Sequence, residues 1–272
     1  MKASLLVSFL LSCHLQAQFI TGKVRAAQTQ DPLPYVNIGV LNHNLGTVSD
    51  EQGVFFLELH PDRIRDTLRF SMIGFESEDF IVADYLEQEK IEQIILLQEK
   101  TTDLDEVVIS TKRTQFVTKI LGNKTTSKLI YAAFTTNQLG NEMGFVVRQR
   151  KRPMILKKFN ISIVENDYGS IRFRLNFYKT ENSLPTTTLL KENIIIETEA
   201  SSGIVSKDLS PYQIVIDEDF FVAIEWIEDL GLGKLYFSGG FFGAPLIARE
   251  VSQGRWSKVG SASVGMNIEV RY

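Results

Sequence analysis

Apolar and polar side chains alternate without a break along residues 171–178. Ile171, Phe173, Leu175 and Phe177 fall on one side, and Arg172, Arg174, Asn176 and Tyr178 on the other. Successive side chains of an extended chain point to opposite faces. The pattern therefore predicts an antiparallel strand with one face buried and the other in water. Residues 194–197, 220–227, 234–237 and 266–272 show the same β-branched and aromatic bias between Gly, Asn, Asp and Pro. Ile194-Ile195-Ile196 and Phe220-Phe221-Val222 break the alternation, which suits strands buried on both sides. Helical periodicity is weak, and predicts only one turn over 83–89 and a short helix over 116–122. The fold class is all-β.

With 272 residues, 44% of them hydrophobic, the chain can bury two ordinary cores. A polar stretch over 98–105 marks a boundary. The reading is two β-domains, residues 18–99 and 114–272, with 100–113 as a linker or docking strand. About eight strands can be drawn beyond residue 145, which predicts a second, jelly-roll-like sandwich. Loops over 182–185, 201–203 and 237–245 are expected at its ends.

Residues 1–17 read as a signal peptide. Lys2 supplies the positive start, and the apolar run 5–11 is too short to span a bilayer. Ala17 fits the cleavage point. Leu10-Leu11-Ser12-Cys13 also resembles a lipobox, in which case a lipid on Cys13 would hold the protein at a membrane. Either route predicts an exported protein of the periplasm, outer membrane or cell surface. Cys13 is the sole cysteine, so cleavage at Ala17 leaves a chain without disulfides. The net charge is −4, or −5 without Lys2, which does not suggest a nucleic-acid partner.

Several motifs follow one another from Phe19 to Ile109. They are Ile20-Thr21-Gly22-Lys23-Val24, Pro32-Leu33-Pro34-Tyr35-Val36-Asn37-Ile38, Gly46-Thr47-Val48-Ser49-Asp50-Glu51-Gln52-Gly53-Val54-Phe55, Leu68-Arg69-Phe70-Ser71-Met72-Ile73-Gly74-Phe75 and Leu104-Asp105-Glu106-Val107-Val108-Ile109. In this third of its length the chain resembles the carboxypeptidase regulatory-like domain of Bacteroidetes envelope proteins. The resemblance implies a seven-stranded, prealbumin-like (transthyretin-like) sandwich. The residues read the same way. Gly22 allows a bend, Asp50 can accept backbone hydrogen bonds in a turn, Gly53 can take positive φ, and Gly74 suits a bulge or tight turn. Asp50 alone falls far short of a calcium site. In TonB-dependent receptors such a domain and a segment like 104–109 precede a plug and a large barrel. Residues 114–272 are too few for both a plug and a barrel of about 22 strands. Segment 104–109 is then a final strand plus linker, or a strand that docks on a partner's sheet edge.

No zinc peptidase is expected. Beyond the leader the only histidines are His43 and His60, and neither belongs to a metal-binding pair. The second half has no histidine for Ser-His-Asp chemistry. Carboxylates cluster at Glu225 with Glu228-Asp229 and at Asp217-Glu218-Asp219, but a glycosidase needs two of them facing across a cleft. Neither a catalytic residue, a cofactor nor a metal is expected. Trp226 and Tyr236 sit in strand patterns and are expected in the core. The candidate ligand contacts are Trp256 with Arg255 beside it, and Phe241 with Phe242, since exposed aromatics stack on sugar rings or peptide side chains. The basic run Arg148-Gln149-Arg150-Lys151-Arg152 is either a contact for anionic glycan or a solvated edge. The function expected is a non-catalytic binding or accessory module for a glycan, a peptide or a partner envelope protein. The competing reading is a small outer-membrane barrel with a periplasmic appendage, which the unbroken apolar runs disfavour.

Overall fold

The computed structural model describes residues 18–87, 93–100, 116–148, 151–241 and 243–272. The leader with Cys13 and Ala17, segment 104–109, Gln149, Arg150 and Phe242 lie outside the described residues.

The first sandwich follows the predicted design. Its strands are β1 (Gln18–Ala26), β2 (Asn37–Val40), β3 (Gly46–Val48), β4 (Val54–Leu59), β5 (Thr67–Ser71), β6 (Glu78–Ile81) and β7 (Gln93–Leu97). They form two sheets, β4-β1-β7 and β3-β2-β5-β6. A short helix, α1 (Val82–Leu86), stands where one turn was expected and buries Tyr85 against Phe70 and Phe80. Val24, Ile38, Phe55, Phe70 and Leu97 share this core. The turn before β4 is held as the residues suggest: Asp50 Oδ1 accepts the backbone N–H of Gln52 at 2.9 Å and of Val54 at 2.8 Å. Gly53 takes φ +74° and Gly74 φ +86°. Gly22 serves close approach rather than a bend, because a Cβ there would meet the Gln93 carbonyl and the Phe55 ring.

The second sandwich is larger. Its strands are β8 (Thr118–Gly122), β9 (Tyr131–Ala132), β10 (Glu142–Val147), β11 (Met154–Asn166), β12 (Ile171–Glu181), β13 (Leu184–Thr188), β14 (Ile194–Thr198), β15 (Gly203–Asp208), β16 (Val215–Ile216), β17 (Phe220–Trp226), β18 (Leu235–Gly240), β19 (Ile247–Arg249), β20 (Ser257–Lys258), β21 (Ser263–Val264) and β22 (Met266–Arg271). One sheet runs β13-β12-β17-β10-β19-β20, with β14 also on β12. The other runs β21-β18-β11-β22-β8, with β15 and β16 also on β11 and β9 on β18. Fewer strands were expected because the two-residue pieces leave no periodic signal, and because the long β11 pairs in turn with β15, β16, β18 and β22. Residues 118–122 form a strand and not the predicted helix, since they close the free edge of β22. Tertiary pairing overrides a weak local preference.

The two sheets meet over Phe145, Phe159, Phe173, Phe177, Phe220 and Phe237, all fully buried. A transmembrane barrel would turn its apolar side chains outward. Here they turn inward between two open sheets. The outer face of β11 carries polar ladders instead, with Asn160 bound to Asn267 and Ser206 and Ser162 to Ser238. Asn182 and Ser183, both at positive φ, make the two-residue turn between β12 and β13 that such geometry favours.

Candidate functional site

The polar face of β12 does not look into water. Arg174 is 1% exposed. Its guanidinium grips Glu225 of β17 through two bonds, Nε to Oε2 at 2.9 Å and Nη2 to Oε1 at 2.8 Å. It also crosses to the first sandwich, donating to the Tyr35 carbonyl at 2.6 Å and to Asn37 Oδ1 at 2.7 Å. The network continues along the sheet. Asn176 donates to Glu225 at 2.7 Å and to Glu142 at 2.9 Å, and Arg249 pairs with Glu142 at 2.7 Å. The far end is capped by Trp256, whose ring lies 4.8 Å from the Arg249 guanidinium carbon and packs edge-on against Phe221.

Burial drives both carboxyls toward their neutral form, but the outcomes differ. Burial pushes Glu142 up to about 7, with one arginine and Asn176 pulling the other way. Glu225 is equally buried, yet the charge and paired hydrogen bonds of Arg174 outweigh that and hold it below the usual carboxylate range. Charges removed from water survive only when paired and hydrogen-bonded in this manner.

Other contacts extend the seam between the sandwiches. Arg172 bonds Glu51 of the first sandwich and, in its own, Glu228 at 3.0 Å and Glu197 at 3.3 Å. Tyr35 and Val48 bury apolar surface against Ile227. The 250–253 loop enters the β2–β3 hairpin: Asn44 bonds Glu250, Gln253 accepts from the Asn42 N–H, and Gln253 donates to Ser71. Gly39 and Gly46 make this approach possible, since a Cβ on Gly39 would lie 2.5 Å from the Ser252 carbonyl and one on Gly46 closer still.

Beside the seam the two sandwiches leave a cleft of about 820 Å³. Val48, Leu139 and Ile227 line it together with Phe56, which is 60% exposed and stacks on Phe19 at 5.1 Å. Its carboxylates fall into two groups. Asp50 holds a turn, and Glu51 and Glu228 bind Arg172. Asp229 likewise accepts the Gly231 N–H at 3.0 Å, and Glu58 forms no ion pair among the described residues. His60 also lines the cleft, while His43 lies 3.5 Å from Asp66 in the first sandwich. An aromatic face beside the exposed carboxylates of Glu58 and Asp229 can stack on a ring and accept hydrogen bonds from hydroxyl or ammonium groups.

The residues singled out in sequence are placed as follows. Trp256 is half-buried at the end of the ionic network, with Arg255 exposed beside it. Phe241 is exposed on the lip of a different, smaller pocket. The structure does not bring Trp256 and Phe241 to one cavity among the described residues. Trp226 is in the core as expected, but Tyr236 rests on Tyr131, itself exposed, at 4.6 Å. Of the basic run, Arg148 bonds Ser183 and Arg152 bonds Asp219. Glu225, a candidate carboxylate in sequence, is a buried structural anion. The cleft itself was missed, because Phe56 and Asp229 are 173 positions apart in the chain and no local pattern joins them.

Residues 20–109 match the family model of the CarboxypepD_reg-like domain. The first sandwich is therefore a carboxypeptidase regulatory-like domain, and that match stops before the second sandwich begins. No curated protein matches the chain. Among solved structures, one holding the cysteine protease and lectin-like domains of Cwp84, a surface layer associated protein of Clostridium difficile, is similar over 86% of this chain and 50% of that one. The identity is 8% and the TM-score 0.39. This chain spans half the length of that structure, and so distant a likeness carries no functional argument.

Proposed function

We propose that this chain is an exported, non-catalytic binding module of the cell envelope that takes a glycan or peptide in the cleft between its sandwiches. The cleft carries the reading. Its volume of about 820 Å³ falls in the range of ligand sites, and its walls come from both sandwiches. The buried Arg174 network locks those walls together, so a ligand does not have to pay for ordering them. Export is supported by the leader-like residues 1–17. Partner envelope proteins remain alternative occupants of the same walls.

The test is a glycan and peptide panel against the purified chain, repeated with Phe56→Ala and Asp229→Asn. Both side chains are exposed, so the thermal transition should hold while affinity falls at least tenfold. Ligands that bind with unchanged affinity to both variants would remove the cleft from consideration. Turnover of any panel member would overturn the non-catalytic reading.

A further inference from the structure

A second pocket, of about 290 Å³, opens where β9 and β18 face β19 in the second sandwich. Small side chains make its space. Ala132, Gly239, Gly240, Ala248 and Ala262 line it where larger ones would fill it. Met143 and Leu246, both core residues, provide an apolar floor. Such a concavity forfeits packing contacts that the rest of this core makes.

Two of its lining residues are buried and polar, Asn141 and Ser263. Asn141 Oδ1 and Ser263 Oγ each have no hydrogen-bond partner among the described residues. The carboxamide of Asn141 is held in one orientation, because its nitrogen donates to Thr135 Oγ1 at 3.0 Å and to Thr136 O and Oγ1 at 3.1 Å. Its oxygen is thus a fixed acceptor, while the Ser263 hydroxyl can donate. Asn141 adjoins β10 of one sheet and Ser263 lies on β21 of the other. Buried polar atoms without partners are unfavourable, so the two sides of the pocket suit a guest with one donor and one acceptor. The lip is aromatic: Phe241 is 61% exposed, and the exposed Tyr131 ring is backed by Tyr236.

We propose that this pocket binds the acetamido group of an N-acetylated amino sugar. The amide N–H donates to Asn141 Oδ1, the Ser263 hydroxyl donates to the amide carbonyl, and the methyl group meets Met143 and Leu246. The sugar ring lies against Phe241 and Tyr131. A plain hydroxyl in place of the acetamido group could meet both polar atoms but would leave the apolar floor of Met143 and Leu246 unfilled. This site is separate from the cleft, and neither assignment requires the other.

The experiment is calorimetric titration of the purified chain with tri-N-acetylchitotriose and with cellotriose, which carries hydroxyls in place of the acetamido groups. Chitotriose should bind at least tenfold more tightly. Phe241→Ala should weaken it about tenfold, and Ala262→Leu should abolish it by filling the pocket. Phe241 is exposed, so its variant remains readable even if Ala262→Leu unfolds. Equal affinity for the two sugars, or no binding of chitotriose at millimolar concentration, overturns the proposal. So does loss of binding in Phe56→Ala with Phe241→Ala unaffected, which would put the sugar in the cleft.

Discussion

The outer face of β4-β1-β7 in the first sandwich carries Phe19, Phe56, Ile94 and Leu96, all of them exposed. The outer face of β12-β17-β10 in the second carries Arg174, Asn176, Glu225 and Glu142, all of them buried. By residue type the two faces should have changed places. What separates them is cover. The first sandwich lies over one end of the charged face through Tyr35 and Asn37, and the β19–β20 segment lies over the other through Trp256. Among the described residues no element lies over Phe56 in the same way. An exposed Phe is tolerable, because water-facing apolar atoms are common. A buried charge is tolerable only where each lone pair and proton finds a partner.

The largest break in this comparison comes from Arg174→Met. It leaves Glu225 buried without its guanidinium and the Tyr35 carbonyl without a donor, so urea unfolding should show a loss of about 3–5 kcal/mol. Adding Glu225→Leu should recover much of it, because the uncompensated charge is gone. If the single variant lost less than about 1 kcal/mol, the seam would not be the brace described above. Gly46→Ala presses a methyl group on the Ser252 backbone and should cost about 1–3 kcal/mol by the same measurement.

A pH series sharpens the difference between the two buried acids. Glu142 titrates near 7 in the folded chain, against an ordinary value of 4.5. The folded state therefore holds an extra proton between those values. The stability from this group is complete below about 4.5 and lost as pH rises through about 7. Glu225, shifted down, acts with the opposite sign and loses its contribution only as pH falls below the ordinary carboxylate range. Stability measured from pH 4.5 to 7.5 should fall less steeply in Glu142→Gln than in the parent chain. Parallel curves would show that Glu142 stays ionised throughout. The smallest effect is expected at the exposed face. Phe56→Ser removes the stack on Phe19 but little burial, and should change stability by less than about 1 kcal/mol.

Much of the architecture was legible because it is local. Period-two alternation marks 171–178 as a strand with Phe173, Leu175 and Phe177 inward, and the unbroken apolar run 220–222 is buried on both sides, whereas in 194–196 the middle residue Ile195 is only half-buried. The Asp50 turn follows from side-chain chemistry within five residues. The candidate sites were less legible. An aromatic beside a basic residue looked like a ligand contact at Trp256, yet the same chemistry caps Arg249 inside the fold. Phe241 was visible as an exposed aromatic, but nothing near it in the chain announced Asn141 or Ser263.

The sequence by itself determined the long alternating strands, the Asp50 turn and which face of those strands is apolar, because those depend on neighbours one to four positions away. Only the tertiary structure decided what covers the polar face of β12. Arg174 and Glu225 are 51 positions apart, and Arg174 meets Tyr35 across 139. Whether such charges are solvated or sealed is set by the surface that arrives opposite them. The cleft and the small pocket exist for the same reason, as spaces between elements that no single segment encodes.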